Sequence, residues 1–418
     1  MLLAKPLRAD AGRALLARAA GAGMAFALSV ALVKFLGLAA FGELSVAYAT
    51  ISAGSFLSRF GSDNWMLRKR FDLSVDTHSP TARADKHAWL SEHNALAVVL
   101  CMIGTVLTAA ATFAVLHSLP DDTSFLQFAG AYPLLALLCI FGSSLWSLCV
   151  VNLKVSNRLV RSNLAESTVL QAAYLVPLVT SFYFTNYMRA YLSGYAAIAV
   201  LASWMTMGGN TSFASLRSDF AERLRAAVSE AVPFTLFGIA AFFLRWSPPI
   251  LSGILYHGAD VGRFNFSFRI GLVVYMAATA LNSVTVARVG GGSIPSTTVR
   301  SRLLLGSIAG AALIFCSLLA ASQSFVYAVA DISVWNALDL SLLGAAAMLN
   351  GAALHFETCL IALNARASLI GVYVLASIVL LSVSFAFPSP HSLSVAVFAA
   401  SIVTLTGLWW ATRLEKST

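Results

Sequence analysis

Residues 232–254 read VPFTLFGIAAFFLRWSPPILSGI, an apolar stretch holding one ionisable side chain, Arg245, and three prolines, Pro233, Pro248 and Pro249. Its length is close to the ~20 helical residues that cross a ~30 Å hydrocarbon core. Outward from it the same texture recurs, giving about twelve apolar runs of membrane-spanning length. The expected spans are 15–36, 40–62, 94–117, 125–150, 164–184, 191–213, 232–254, 262–286, 302–322, 335–362, 368–387 and 393–412. In a bilayer every backbone polar group must be satisfied within its own segment, so these runs predict helices.

Composition agrees with that reading. Hydrophobic residues make up 59% of the chain and charged residues 11%, which excludes a soluble multidomain protein. The net charge of +9 would suggest nucleic acid in a soluble protein, but its distribution gives it another meaning, and no nucleic-acid partner is expected. Basic side chains fall on alternate connectors: Lys5, Arg8 and Arg13; Arg68, Lys69, Arg70, Arg83 and Lys86; Lys154, Arg158 and Arg161; Arg217, Arg223 and Arg225; Arg288, Arg300 and Arg302; Arg366; Arg413 and Lys416. Among the other connectors Arg189 is the obvious cation. Lys and Arg are retained on the cytoplasmic side, so both termini are expected there. No short h-region with a small-residue cleavage site follows Met1, and the N-terminus is expected to be retained.

Reactive chemistry is sparse. Cys101, Cys139, Cys149, Cys316 and Cys359 all lie inside apolar runs and read as small buried hydrophobes. The seven histidines are scattered without ligand spacing, and no Walker A loop is present, so neither a metal nor another cofactor is expected. Connectors on the outer side are short, leaving no room for a catalytic domain, and the chain does not read as an enzyme.

The chain reads as two similar halves. Gly42 opens a span closed by Arg68, and Gly262 opens one closed by Arg288 at the same separation. Residues 36–42, Leu-Gly-Leu-Ala-Ala-Phe-Gly, correspond to 255–262, and Asn157-Arg158 mirrors Ala365-Arg366. Between the halves, Leu216, Phe220, Leu224 and Val228 recur opposite Arg217, Arg223 and Arg225, the pattern of an amphipathic helix lying on the inner interface. The expected organisation is an N-terminal six-helix lobe at 1–213, a linker helix at 214–231 and a C-terminal six-helix lobe at 232–418. Two such lobes facing each other can rock around a central cavity, as transporters do.

Several segments carry a family pattern. Phe41-Gly42-Glu43-Leu44 is followed by Arg59-Phe60-Gly61-Ser62-Asp63-Asn64-Trp65-Met66-Leu67-Arg68, a Gly-x-Asp turn with Arg beyond it. Arg225 to Phe234, Ala259 to Phe268 and Leu363-Asn364-Ala365-Arg366 follow in order. Together they resemble the polysaccharide-export flippases of the O-antigen type, within the multidrug/oligosaccharidyl-lipid/polysaccharide exporter superfamily. The seventh span departs from the family's polar pair, carrying Arg245-Trp246-Ser247-Pro248-Pro249. The resemblance implies a two-lobed, twelve-helix carrier in a bacterial cytoplasmic membrane. It would pass a polyprenyl diphosphate glycan, such as an O-antigen, lipopolysaccharide or exopolysaccharide precursor, to the outer leaflet, beside other polysaccharide-assembly membrane proteins.

Charges within the spans mark candidate sites, because an ionisable group in hydrocarbon costs about 2.5–3.5 kcal/mol or more and persists where a cavity or partner receives it. Arg245 and Arg269 are expected to line the cleft and bind diphosphate or acidic sugars; the alternative is that one or both pair with a carboxylate such as Glu357. Arg59 and Asp63 share a helix face and read as a local ion pair or a substrate contact. Lys34 either contacts substrate or snorkels at the outer end of the first span. Glu357 either couples transport to a proton gradient or neutralises an arginine. Pro133, Pro177 and the Pro248-Pro249 pair are expected to interrupt spans four, five and seven. The cationic balance favours an anionic cargo over a drug exporter of organic cations. An ion-coupled exporter of another small solute and a membrane glycosyltransferase or ligase are the competing readings.

Overall fold

The computed structural model of the chain describes residues 5–76, 82–118, 131–155, 158–180, 186–207, 219–290, 337–386, 389 and 391–414, with 305, 306, 308, 309 and 312. Among them helix follows helix: α1 Lys5–Ser58, α2 Ser62–Asp76, α3 Ala82–Ser118, α4 Pro133–Val155, α5 Leu159–Thr168, a 3-10 turn Gln171–Tyr174, α6 Leu175–Thr180, α7 Tyr187–Met207, α8 Phe220–Leu255, α9 Ala259–Gly290, α10 Ala337–Ala362, α11 Arg366–Ala386 and α12 Ser392–Leu414. Seven described helices are long and apolar enough to cross a membrane. The chain is an all-α, multi-pass membrane protein.

The first of these helices covers two expected spans. At 54 residues a straight α1 would be about 80 Å long, more than twice a ~30 Å core. Gly37 breaks it, with φ 85 and ψ 166, backbone angles that a side chain makes costly. The chain doubles back there. Phe26 and Phe41 would lie about 22 Å apart along one straight helix. Instead their ring centroids stand 6.2 and 6.0 Å from that of Phe266.

Four expectations about the connectors and prolines need correction. The connector expected to carry Arg68, Lys69, Arg70, Arg83 and Lys86 is not plain: its described residues belong to α2 and to the start of α3. The linker helix expected at 214–231 is not separate, because α8 begins at Phe220 and runs through Pro233 into the seventh span. Pro233, Pro248 and Pro249 all lie inside that continuous helix. The prolines free the carbonyls four residues earlier, those of Ser229, Leu244 and Arg245, and the hydrogen bonds of the flanking turns carry the helix past them. Pro133 begins α4, where a missing N–H costs nothing. The fifth span is interrupted as expected, by the 3-10 turn Gln171–Tyr174 that directly precedes the helix holding Pro177. Of the expected span 302–322, only 305, 306, 308, 309 and 312 are described.

Each core takes in residues from the other half of the chain. Leu32, Phe41, Leu44, Tyr174, Tyr191 and Tyr195 form a first-half cluster that also buries Phe266 and Ile270 of α9. The second-half cluster, built on Phe234, Phe237, Leu369, Tyr373 and Leu393, buries Trp65, Met66 and Leu67 of α2. At one end of the seam Gly42 meets Gly262: a Cβ added to Gly42 would lie 2.9 Å from the Gly262 nitrogen, and one added to Gly262 would lie 2.1 Å from the Leu38 carbonyl oxygen. At the other end the ties are polar. Glu230 of α8 accepts from Trp65 Nε1 at 2.8 Å and pairs with Lys69 Nζ at 2.8 Å, while Arg68 donates to the Ala362 carbonyl.

Candidate functional site

A cavity of about 360 Å³ lies between the halves, lined by α1, α2, α4, α5, the 3-10 turn, α8, α9 and α10. Its lining is confined to one end of the bundle. Along the chain it stops at Ser29, resumes at Tyr48, and goes no further toward the glycine crossing than Ser143, Gln171, Trp246 and Arg269. Toward that crossing the seam is dry, with Phe41 fully buried and Phe266 at 2% exposure. The cavity therefore lies on the side of the basic connectors. Five cations line it, Arg18, Arg59, Lys154, Arg245 and Arg269, against three carboxylates, Asp63, Glu166 and Glu357.

Arg269 stands at the sealed end. Doubling back of α1 at Gly37 brings both of its arms against α9. Arg269 Nη1 donates to Ser29 Oγ at 3.2 Å, and Nη2 donates to the Tyr174 hydroxyl. Its guanidinium carbon lies 4.3, 5.3 and 5.6 Å from the ring centroids of Tyr174, Phe41 and Tyr48. Among the described residues no carboxylate comes within ion-pair distance of it. Aromatic faces and neutral hydroxyls hold the cation without cancelling its charge.

Arg245 enters the same cavity from α8. Its Nη2 lies 3.7 Å from Glu357 Oε2 on α10, and its guanidinium carbon lies 5.3 Å from the Tyr275 ring centroid. Glu357 also accepts a 2.5 Å hydrogen bond from the Tyr373 hydroxyl. The pairing alternative weighed for the two arginines thus applies to Arg245 and not to Arg269.

At the basic end, Arg59 Nη1 and Asp63 Oδ2 form a 2.6 Å ion pair, and the Asp63 Oδ1 accepts the Asn64 backbone N–H at 3.0 Å. The pair lies across the turn from α1 into α2, and both residues line the cavity. Lys34 does not join them. It is exposed near the end of the first arm of α1, outside the lining, where a long side chain beside Gly37 points away from the seam.

Three charged lining residues escaped the sequence reading. Glu166 on α5 pairs with Arg18 Nη1 at 2.9 Å and with Lys154 Nζ at 2.6 Å. Arg18 Nε also donates to Thr279 Oγ1 of α9 at 3.0 Å, bridging the halves. Glu166 sits two residues inside the expected fifth span and Arg18 three residues inside the first, signals that could have found them; Lys154 was counted among the connector cations. Among the described residues no group of three or more His, Cys, Asp or Glu is placed to hold a metal ion.

The family model described as polysaccharide biosynthesis protein matches residues 7–287, well over half of the chain. No curated protein is a significant sequence match. Among solved structures the chain is similar to the eukaryotic MATE transporter AtDTX14, with 15% identity and a TM-score of 0.62 over 99% of this chain and 98% of that one. It is similar to the lipid II flippase MurJ in an inward closed conformation, with 12% identity and a TM-score of 0.58 over 95% and 87%. A MOP superfamily transporter from Pyrococcus furiosus, described by a reverse polarity of its binding pocket, gives 16% identity and a TM-score of 0.62 over 98% and 96%. At these identities the likeness is one of fold.

Proposed function

We propose, from the premise that the chain belongs to the polysaccharide biosynthesis protein family, that it is a flippase for lipid-linked oligosaccharide or polysaccharide precursors. The cargo is a polyprenyl diphosphate glycan, carried from the inner to the outer leaflet of a bacterial cytoplasmic membrane as two six-helix lobes, 1–213 and 232–418, alternate their access. Both termini are cytoplasmic, so the basic end of the cavity faces the side where such precursors are made.

One observation carries this reading: Arg269, at the end of the cavity, has aromatic and hydroxyl neighbours but no carboxylate within ion-pair distance among the described residues. A guanidinium held in that way presents its remaining donors to an anion with little reorganisation, and a diphosphate suits its planar fork. Arg245 is the second contact, reached once cargo competes with Glu357. Arg59 meets the cargo at the mouth, where Asp63 holds it. Glu357, shared between Arg245 and Tyr373, is placed to take a proton when Arg245 turns to the cargo, which would couple transport to a proton gradient.

A second reading, an exporter of another small solute or drug, has in its favour the fold shared with MATE transporters. The excess of cations over carboxylates in the lining weighs against organic cations as its cargo. Deleting the gene separates the two. Accumulation of a lipid-linked oligosaccharide on the inner leaflet, relieved by the wild-type gene and not by Arg269→Ala, is the expected result. Absence of any accumulated lipid-linked glycan would exclude the flippase.

A further inference from the structure

The first-half wall of the cavity carries two buried polar groups with no partner. Trp146, on α4, is 5% exposed, and its indole N–H meets no acceptor. Gln171 is 8% exposed, and its Oε1 meets no donor. Both residues line the cavity. The cluster of Trp146, Cys149 and Val150 packs against Val169 and Leu170, which directly precede Gln171 in the chain. Gln171 owes its place to the interruption of the fifth span: it opens the 3-10 turn between α5 and α6, where the helical register changes. An unpaired buried donor or acceptor costs about 1–3 kcal/mol, so a wall holding one of each is built for something that fills both.

Across the same space Tyr48 and Trp246, both half-buried, meet edge to face with centroids 5.5 Å apart. They supply apolar ring surface beside hydrogen-bonding groups, the combination that suits a pyranose. The cavity volume is of the order of one small ligand, which limits what enters to a head group and its first sugars.

We propose that Trp146 and Gln171 form a sugar-recognising subsite: the indole N–H donates to, and the Gln171 carbonyl accepts from, one neutral group on the sugar next to the diphosphate. That group both accepts and donates, as a ring hydroxyl or an acetamido group does. The proposal rests on the flippase reading above and adds to it a determinant of which glycan is taken.

The test is equilibrium binding of radiolabelled lipids to the full-length protein in nanodiscs. Three probes are compared: polyprenyl diphosphate, polyprenyl diphosphate glucose and polyprenyl diphosphate N-acetylglucosamine. Wild type is expected to bind at least one sugar-bearing lipid about fivefold or more tighter than the bare diphosphate, as a net hydrogen bond or two provides. Trp146→Phe keeps most of the ring and deletes the N–H; Gln171→Leu keeps much of the shape and deletes the acceptor. Each should erase most of that preference. A preference confined to the N-acetylglucosamine lipid identifies the acetamido group, and equal preference for both sugars identifies a hydroxyl; either supports the subsite. Equal wild-type affinity for all three lipids overturns the subsite and leaves the flippase standing, without reliance on any variant. Preference undiminished in both variants overturns the subsite also. Failure of all three lipids to bind overturns the flippase reading, and this one with it.

Discussion

Arg245 and Arg269 enter one cavity from successive helices, and the sequence offers no reason to separate them. Their surroundings differ. Arg245 faces a carboxylate at 3.7 Å, whereas Arg269 is held by Ser29, the Tyr174 hydroxyl and three aromatic rings. A cation opposite an acid spends its charge at home; one seated among hydroxyls and rings keeps it for a visitor. Stability and transport should therefore respond in opposite order at the two positions.

The largest effect is expected at the unpaired cation. Arg269→Met should lower transport of a fluorescent polyprenyl diphosphate sugar in proteoliposomes by about a hundredfold, since a desolvated charged contact is worth about 2–5 kcal/mol. Thermal unfolding should hardly move, because no acid is orphaned; a large fall in unfolding temperature would break the comparison. Next comes Arg245→Met, with transport down about tenfold and stability down about 1–2 kcal/mol, discounted from a fully buried pair because Arg245 is 31% exposed. Adding Glu357→Gln should restore the stability and not the transport. If the second change restores nothing, Glu357 is not what Arg245 neutralises.

Glu357→Gln alone should leave the protein folded and remove the severalfold acceleration of transport by an imposed proton gradient. Gradient-dependent transport that survives this change would end its coupling role. Smallest of all is Lys34→Ala, expected to leave transport within about twofold, since the side chain is exposed and outside the lining. A larger loss would show that cargo touches the outer end of α1.

Much of this arrangement was legible before any coordinates. Run length marked the chain as a helical membrane protein, and seven described helices are long and apolar enough to cross. Arg59, Asp63, Arg245, Arg269 and Glu357 were found because charge in hydrocarbon is costly wherever it occurs, and all five line the cavity. Lys34 was read by the same rule, and exposure, which no spacing reports, sets it apart. Glu166, Arg18 and Lys154 were missed for a related reason: near a helix end, charge is cheap, so its presence does not advertise a partner. Pro248 and Pro249 misled because a proline's cost is local and the turns on either side keep their hydrogen bonds, so α8 runs on through three prolines. Gln171 gave no signal of its own, since the interruption it opens is marked in the sequence only by Pro177, further along the same span.

The repeat in the sequence aligned Gly42 with Gly262, and in the folded chain these two touch. In the two-lobed carrier proposed above, this contact is where the lobes close on one another. It is made of bare main chain, with no knob to extract and no ion pair to rupture. A joint of that kind grips by closeness alone. It can part in one turn of the cycle and re-form in the next, and any side chain added there would wedge it ajar.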